Sequence, residues 1–132
     1  MSFTLQSNLP NLTRQVEKRA RVLVHDTAAG ISQHIKLSMV EPKSGRHYKV
    51  SKTGRDHVAS APGESPAIDT GLLANSIDYA MTGETSAVVG SGAEYAIHLE
   101  FGTVRIAPRP FMQPAFESAV SEFEKGLKEL LT

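Results

Sequence analysis

The chain lacks cysteine and tryptophan entirely, and it has no long uninterrupted apolar run. Without cysteine it can form neither disulfide bonds nor thiolate metal sites, and this composition suits synthesis in a reducing cytoplasm. No basic stretch followed by an apolar one stands at the N-terminus, and a membrane-spanning helix needs about 20 apolar residues. The sequence therefore predicts a soluble protein without a signal peptide or a membrane anchor.

The length of the chain predicts one domain over residues 1–132. A chain of this size buries roughly two thirds of its unfolded surface, so a genuine hydrophobic core is expected without disulfides or metals to support it. Residues 1–9 are polar and unpatterned, and we predict that they form a loose arm.

The formal charge is zero overall but is divided unevenly along the chain. Residues 1–60 hold ten Lys and Arg against four Asp and Glu, a balance of +6, and residues 61–132 hold four against ten, a balance of −6. Such a division bears on partners rather than on fold. Either a basic surface on one copy meets an acidic surface on another, as in a head-to-tail ring, or two solvated faces simply differ.

Two segments carry apolar residues at the spacing of three or four that is typical of an amphipathic helix. The first predicts a long helix over residues 10–39, with Pro10 in its first turn and Gly30 as a weak position. The second predicts a helix over residues 111–131. Its buried face is predicted to be the stripe of Met112, Phe116, Ala119, Phe123, Leu127 and Leu130.

Residues 41–67 form a long connection rich in Lys, Arg, Gly, Ser and Pro. Weak alternation over residues 47–50 and 57–59 predicts two short strands, paired as a hairpin through residues 52–54. Such a hairpin is polar on both faces and marginal alone. We therefore predict that the connection is the most mobile part of the isolated protein and that trypsin cuts it first.

Short elements are predicted in the middle of the chain. Asp69 or Thr70 is expected to cap a single helical turn through Ala74, which Asn75 and Ser76 end. Alternating apolar residues over 77–81 predict a strand with one buried face, which turns back into a second strand over residues 85–90.

Residues 91–94 (SGAE) have the pattern of a capping box and predict a helix through Phe101. Gly102 is expected to end that helix in a left-handed conformation. The order of elements predicts an α+β fold, in which a small antiparallel sheet packs against a long N-terminal and a long C-terminal helix, with a long flexible loop.

The sequence offers little for catalysis, metal binding or cofactor binding. His25 and His34 are nine residues apart on one predicted helix, too far to share a metal, and basic residues surround His47 and His57. Gly90-Ser91-Gly92 lacks the third glycine of a dinucleotide-binding loop. We therefore expect no enzyme activity, no cofactor and no metal site.

Two groups of charged residues are predicted to lie at an interface. The first is a basic run with a spacing of three, which could contact another protein, contact the backbone of DNA or remain a solvated face: Lys43, Arg46, Lys49, Lys52 and Arg55. The second lies around the stiff segment Pro108-Arg109-Pro110, where we predict that Arg109 pairs with Glu100, either within a subunit or between subunits. Arg105 belongs to the same group.

Two blocks of sequence resemble one family of tailed-bacteriophage proteins. The first block consists of residues 59–66 (ASAPGESP) and 69–73 (DTGLL), and the second of residues 100–103 (EFGT), 108–112 (PRPFM) and 114–115 (PA). Together they span about half of the chain, in the order in which they occur in the family. The family comprises the minor tail components of long-tailed phages, also called head–tail joining or tail-completion proteins.

The resemblance implies a structural virion protein located in the neck, between the head connector and the tail tube. The partners that it implies are the connector or stopper on one side and the tail-tube or tail-terminator protein on the other. It further implies a ring of identical subunits, with six as the expected number, that assembles on these partners from a chain that can be a monomer in isolation. The protein would be made in the bacterial cytoplasm. DNA would pass nearby without specific binding. The alternative interpretation is a DNA-binding accessory protein that uses the basic residues of 41–57.

Overall fold

The computed structural model describes residues 2–4, 9–69 and 71–131, and these form four helices and four short strands. The α+β class predicted from the sequence is confirmed. In chain order the elements are α1 (Leu9–Val40), β1 (His47–Lys49), β2 (Asp56–Val58), α2 (Leu72–Ser76), β3 (Ile77–Met81), β4 (Ala87–Ser91), α3 (Ala96–Phe101) and α4 (Met112–Leu130). The arm predicted over residues 1–9 lies mostly outside the described residues.

Helix α1 is the longest element and runs without interruption through Gly30. With about 1.5 Å of rise per residue, its 32 residues extend over roughly 48 Å. Only the C-terminal part enters the core, because Ala28, Ile31, Ile35 and Met39 are buried whereas residues 11–19 are all exposed. The helix therefore has one half inside the fold and one half projecting from it.

Strands β3 and β4 form an antiparallel hairpin that packs against α1. Ile77 stands opposite Ser91, and the side chains of Ile77 and Val89 are buried in the core with Ile35. The predicted alternation is confirmed, since Ile77, Tyr79 and Met81 are more buried than the two residues between them.

Strands β1 and β2 form a second antiparallel hairpin, in which His47 stands opposite Val58. Its turn is closed by a hydrogen bond from Val50 N to Arg55 O (2.9 Å), and Gly54 takes a positive φ of 66° there. The hairpin predicted within residues 41–67 is therefore confirmed. The described residues contain two small sheets of two strands each rather than one sheet.

Helix α4 packs along α1 through small residues, and this differs from the sequence prediction. Ala115 is fully buried, and a Cβ placed on Gly126 would lie only 2.6 Å from Leu23 Cδ1. The predicted stripe is buried only in part: Phe116 and Leu127 are exposed, whereas Met112 and Ala119 pack against the core and Phe123 and Leu130 are half-buried. The distance between two packed helices depends on the side chains at their contact. Small residues allow a close approach, and it leaves Phe116 and Leu127 at the surface.

Both predicted N-terminal caps of the short helices are wrong. Helix α2 begins after Gly71 without a side-chain cap, because the Asp69 carboxylate accepts a hydrogen bond from Arg55 Nη2 (2.9 Å) instead. Thr70 lies outside the described residues. Helix α3 begins after Tyr95, also without a side-chain cap, because Ser91 is the last residue of β4 and its hydroxyl meets that of Ser76 (2.6 Å). No described helix combines the length and the apolarity that crossing a membrane requires.

Candidate functional site

The connection between α3 and α4, residues 102–111, is called the elbow below. Glu100, at the end of α3, is buried, and its carboxylate closes the elbow by accepting three backbone amides at the start of α4. Oε2 accepts from Phe111 N (2.8 Å) and Met112 N (2.9 Å), and Oε1 accepts from Gln113 N (2.9 Å). These first amides of a helix have no acceptor within the helix, and a negative charge is favourable there. Glu100 therefore caps α4 and ties it to α3.

The elbow begins with a tight turn that only glycine fits at its first position. Gly102 has a φ of 75°, and a Cβ there would lie 2.8 Å from Ile106 O and 2.9 Å from Pro108 N. Thr103 N donates to Ile106 O (2.8 Å), and Thr103 Oγ1 accepts from the amides of Arg105 and Ile106 (both 3.2 Å). The positive φ predicted for Gly102 is confirmed. Arg105 lies exposed at the tip of the turn.

Within the subunit Arg109 does not pair with Glu100, so this form of the sequence prediction is wrong. Its Nε donates to Ser60 O (3.2 Å), its Nη1 donates to Ala107 O (2.7 Å), and its backbone N donates to Leu99 O (2.6 Å). Both carboxylate oxygens of Glu100 are already occupied by backbone amides. Arg109 therefore holds backbone carbonyls inside the subunit and is half-buried, where the prediction had it presented outwards.

The elbow contacts the segment at residues 59–66, although some 40 residues separate them in sequence. Besides the bond from Arg109 to Ser60, Gly63 N donates to Pro108 O (3.1 Å). Ser60 and Pro66 are buried. The two blocks of sequence that carry the phage-like resemblance therefore form one local structure.

Two of the five basic residues with a spacing of three form hydrogen bonds within the chain. Lys43 Nζ donates to Ser38 O (2.7 Å) and Ser65 Oγ (2.6 Å), and Arg55 pairs with Asp69 (2.9 Å). The remaining three lie exposed on or beside the β1–β2 hairpin: Arg46, Lys49 and Lys52.

Sequence reasoning missed Glu64, which ties the two ends of the 41–67 connection together. Its carboxylate accepts hydrogen bonds from the Ser44 hydroxyl, from Ser44 N (3.2 Å) and from Ala61 N (2.8 Å). These donors, the Ser44 hydroxyl first, lower the pKa of Glu64 from 4.5 to about 2. No local pattern predicts the bonds with Ser44, because Ser44 lies 20 residues from Glu64. The bond with Ala61, three residues away, is local.

We predict that Glu64 stabilises this connection only while it is ionised. Its folded-state pKa is depressed, so the stabilisation is present above pH 4.5 and is lost as the pH falls towards about 2. Glu64→Gln at neutral pH should therefore speed trypsin cleavage after Lys43 and Arg46. Glu41→Gln, an exposed carboxylate nearby, is the matched control. A carboxyl carbon titration midpoint near 4.5 for Glu64, or equal cleavage of both variants, would contradict the prediction.

Two of the described histidines contact neighbouring side chains. Among the described residues, no three His, Asp or Glu side chains are grouped closely enough to hold a metal ion. His25 lies against Asp26 (3.2 Å) and meets the ring of Tyr79 edge-on. His57 meets the ring of Tyr48 edge-on, with 5.2 Å between the ring centroids.

No protein-family model, no curated protein and no solved structure matches this chain. The contacts within the elbow are therefore the evidence for its role. These contacts hold backbone segments in place: a carboxylate on three amides, a guanidinium on two carbonyls, and a glycine where a Cβ has no room.

Proposed function

We propose that the chain is a structural virion protein of a tailed phage or prophage, which joins the head connector to the tail as a ring of identical subunits in the neck. The observation that supports this most is the contact between the two phage-like blocks, made by Arg109 with Ser60 and by Gly63 with Pro108. Residues that resemble one family in two separate places belong to one structural unit.

The chemistry of the elbow also favours a scaffolding role. Glu100, next to the elbow, and Arg109, within it, bind backbone groups and leave little of their hydrogen-bonding capacity for a substrate, while Arg105 is exposed at its tip. A rigid joint between two helices is useful to a protein that must hold a fixed shape against its neighbours. We therefore propose that the protein acts by docking, without catalysis and without a cofactor.

The alternative, DNA binding through residues 41–57, has weaker support. Lys43 and Arg55 are engaged inside the chain, so fewer cations are available to neutralise phosphates. A salt-dependent shift of duplex DNA at physiological ionic strength would favour this alternative, and its loss in Lys49→Glu would assign the contact to the hairpin.

The proposal predicts the phenotype of a phage that lacks this chain. Heads should still fill with DNA and tails should still form, because these assemble separately, but the two should fail to join. Negative-stain microscopy should show full heads and loose tails, with few infectious particles, and the wild-type chain supplied from a plasmid should restore joining. Empty heads, or joined particles in the null strain, would overturn the assignment to the neck.

Arg105→Glu is the better point variant for the same assay. Arg109 holds backbone carbonyls, so reversing its charge would disturb the fold, whereas Arg105 is exposed at the tip of the elbow. A folded Arg105→Glu protein that only partly restores joining would locate a contact at this tip. Lys125→Glu, exposed on α4, is the matched control.

A further inference from the structure

An apolar face of α3 and α4 has no partner among the described residues of the chain. A groove of about 520 Å³ runs between α3 and α4, a second of about 350 Å³ runs between α4, α1 and β4, and Phe116 lines both. Phe101 (70 % exposed) and Val120 (49 % exposed) lie along them. Because they share Phe116, the two grooves form one surface, which we call the acceptor groove. Exposed apolar side chains along a groove with polar residues at its rim are a feature of protein interaction sites.

The N-terminal half of α1 carries a matching apolar stripe. Leu12 and Val16 are exposed, and the helical period places them on the same side of α1 as Leu23, which packs against α4. The stripe that binds α4 in the core therefore continues along the projecting part of the helix. Leu12 lies about 16 Å beyond Leu23 along the axis, at about 1.5 Å per residue.

The two surfaces differ in charge in a way that favours their contact. The projecting residues 11–19 hold three basic side chains, Arg14, Lys18 and Arg19, and one acidic side chain, Glu17. Arg19 lies beside the apolar stripe, and the others lie on the remaining sides of the helix. Around the acceptor groove stand Glu94, on its lining, and Glu117 and Glu124, on the outer side of α4 beside the apolar residues. This is the local form of the +6 and −6 division along the sequence. Opposite charges across a rim steer association and fix its register.

We propose that the projecting half of α1, residues 11–19, docks into the acceptor groove of a second copy of the same chain. Residues 11–19 cannot fold back into the acceptor groove of the same molecule, because α1 is one continuous helix. Donor and acceptor are different surfaces, so the contact is head-to-tail and forms a ring when its rotation closes. The inference rests on the proposed ring assembly and names the two surfaces that form it.

A crosslinking experiment tests the contact directly, since the chain has no cysteine of its own. Val16→Cys and Val120→Cys are made in separate full-length proteins, mixed at high concentration and treated with a short bismaleimide. The proposal predicts one crosslinked heterodimer of twice the monomer mass. Val22→Cys, which is more exposed than Val16 but lies on another side of α1, replaces Val16→Cys in the control mixture and should give at least tenfold less product. Equal yields from both mixtures would overturn the proposal.

Complementation of two defective surfaces distinguishes a head-to-tail contact from a symmetric one. Leu12→Asp disables the donor, and Val120→Asp disables the acceptor groove. Each residue is about half-exposed, so the fold should be retained, which circular dichroism checks. Neither variant alone should associate in sedimentation. Their mixture should form a 1:1 dimer and stop there, because only one intact donor meets one intact acceptor. A mixture that stays monomeric would contradict a head-to-tail contact of these surfaces.

Crosslinking and complementation, taken together with the phenotype of the null strain, distinguish a failure of this inference from a failure of the proposed function. If crosslinking and complementation fail while the null strain still makes unjoined heads and tails, joining stands and the contact between copies is elsewhere. If the contact forms but the null strain joins normally, the surfaces are correctly assigned and the neck function is wrong.

Discussion

Glu100→Ala is expected to lower the free energy of unfolding by about 3 kcal/mol. The substitution removes a buried carboxylate that accepts three backbone amides at the start of α4. A lost N-terminal cap costs about 0.5–2 kcal/mol. Amides left without an acceptor in a buried position add a penalty of roughly 1–3 kcal/mol. Urea denaturation followed by circular dichroism measures the change.

Two variants separate capping from the loss of a side chain. Glu100→Gln keeps the shape but replaces the charge and one acceptor oxygen, so it should fall between Glu100→Ala and the wild type. Glu117→Ala removes an exposed carboxylate from α4 itself and should stay within about 0.5 kcal/mol of the wild type. If Glu100→Ala cost no more than Glu117→Ala, the capping role of Glu100 would be wrong.

Local signals in the sequence were enough to predict most of the secondary structure. The apolar period predicted both long helices within about a residue at each end, and the weak alternation around residues 47–59 predicted the first hairpin. Gly102 was predicted to take a positive φ, which its close contacts with Ile106 and Pro108 explain. These features depend on residues within a few positions of each other.

Features that depend on distant residues could not be predicted in this way. Glu100 caps a helix that begins 12 residues later, and Glu64 binds an amide 20 residues earlier. Asp69 was predicted to cap α2 because of its residue type and its position before the helix. Its pairing with Arg55, 14 residues earlier, has no local pattern that would predict it. In each case a polar side chain can form a hydrogen bond either with a group nearby in sequence or with a group brought close by the fold, and the packing determines which bond forms.

The buried face of α4 shows the same limit for apolar residues. The helix has large apolar residues on one side and small ones, such as Ala115 and Gly126, on the neighbouring side. Periodicity detects the large residues, but the close approach to α1 selects the small ones. The large residues that remain outside form the acceptor groove. The error in the sequence prediction therefore points to the surface on which the proposed assembly depends.

Ile35→Ala is expected to destabilise the isolated protein by about 3–4 kcal/mol, whereas Phe116→Ala should cost less than about 1.5 kcal/mol. Ile35 lies on the face of α1 that packs against the β3–β4 hairpin and has no exposed surface. Its truncation therefore leaves a cavity that the core cannot close. Phe116 is 41 % exposed, so water already reaches much of its ring. Thermal or urea unfolding of the two purified variants gives both values.

The order of these two effects should reverse in assembly. Phe116→Ala leaves a folded monomer but removes the aromatic residue shared by both halves of the acceptor groove, so its association with a second copy should weaken at least tenfold. A conservative core change, Ile35→Val, should lower stability by about 1 kcal/mol and leave association unchanged. If Phe116→Ala instead unfolded the protein as readily as Ile35→Ala, the ring of Phe116 would belong to the core, and the groove could not be a free docking surface.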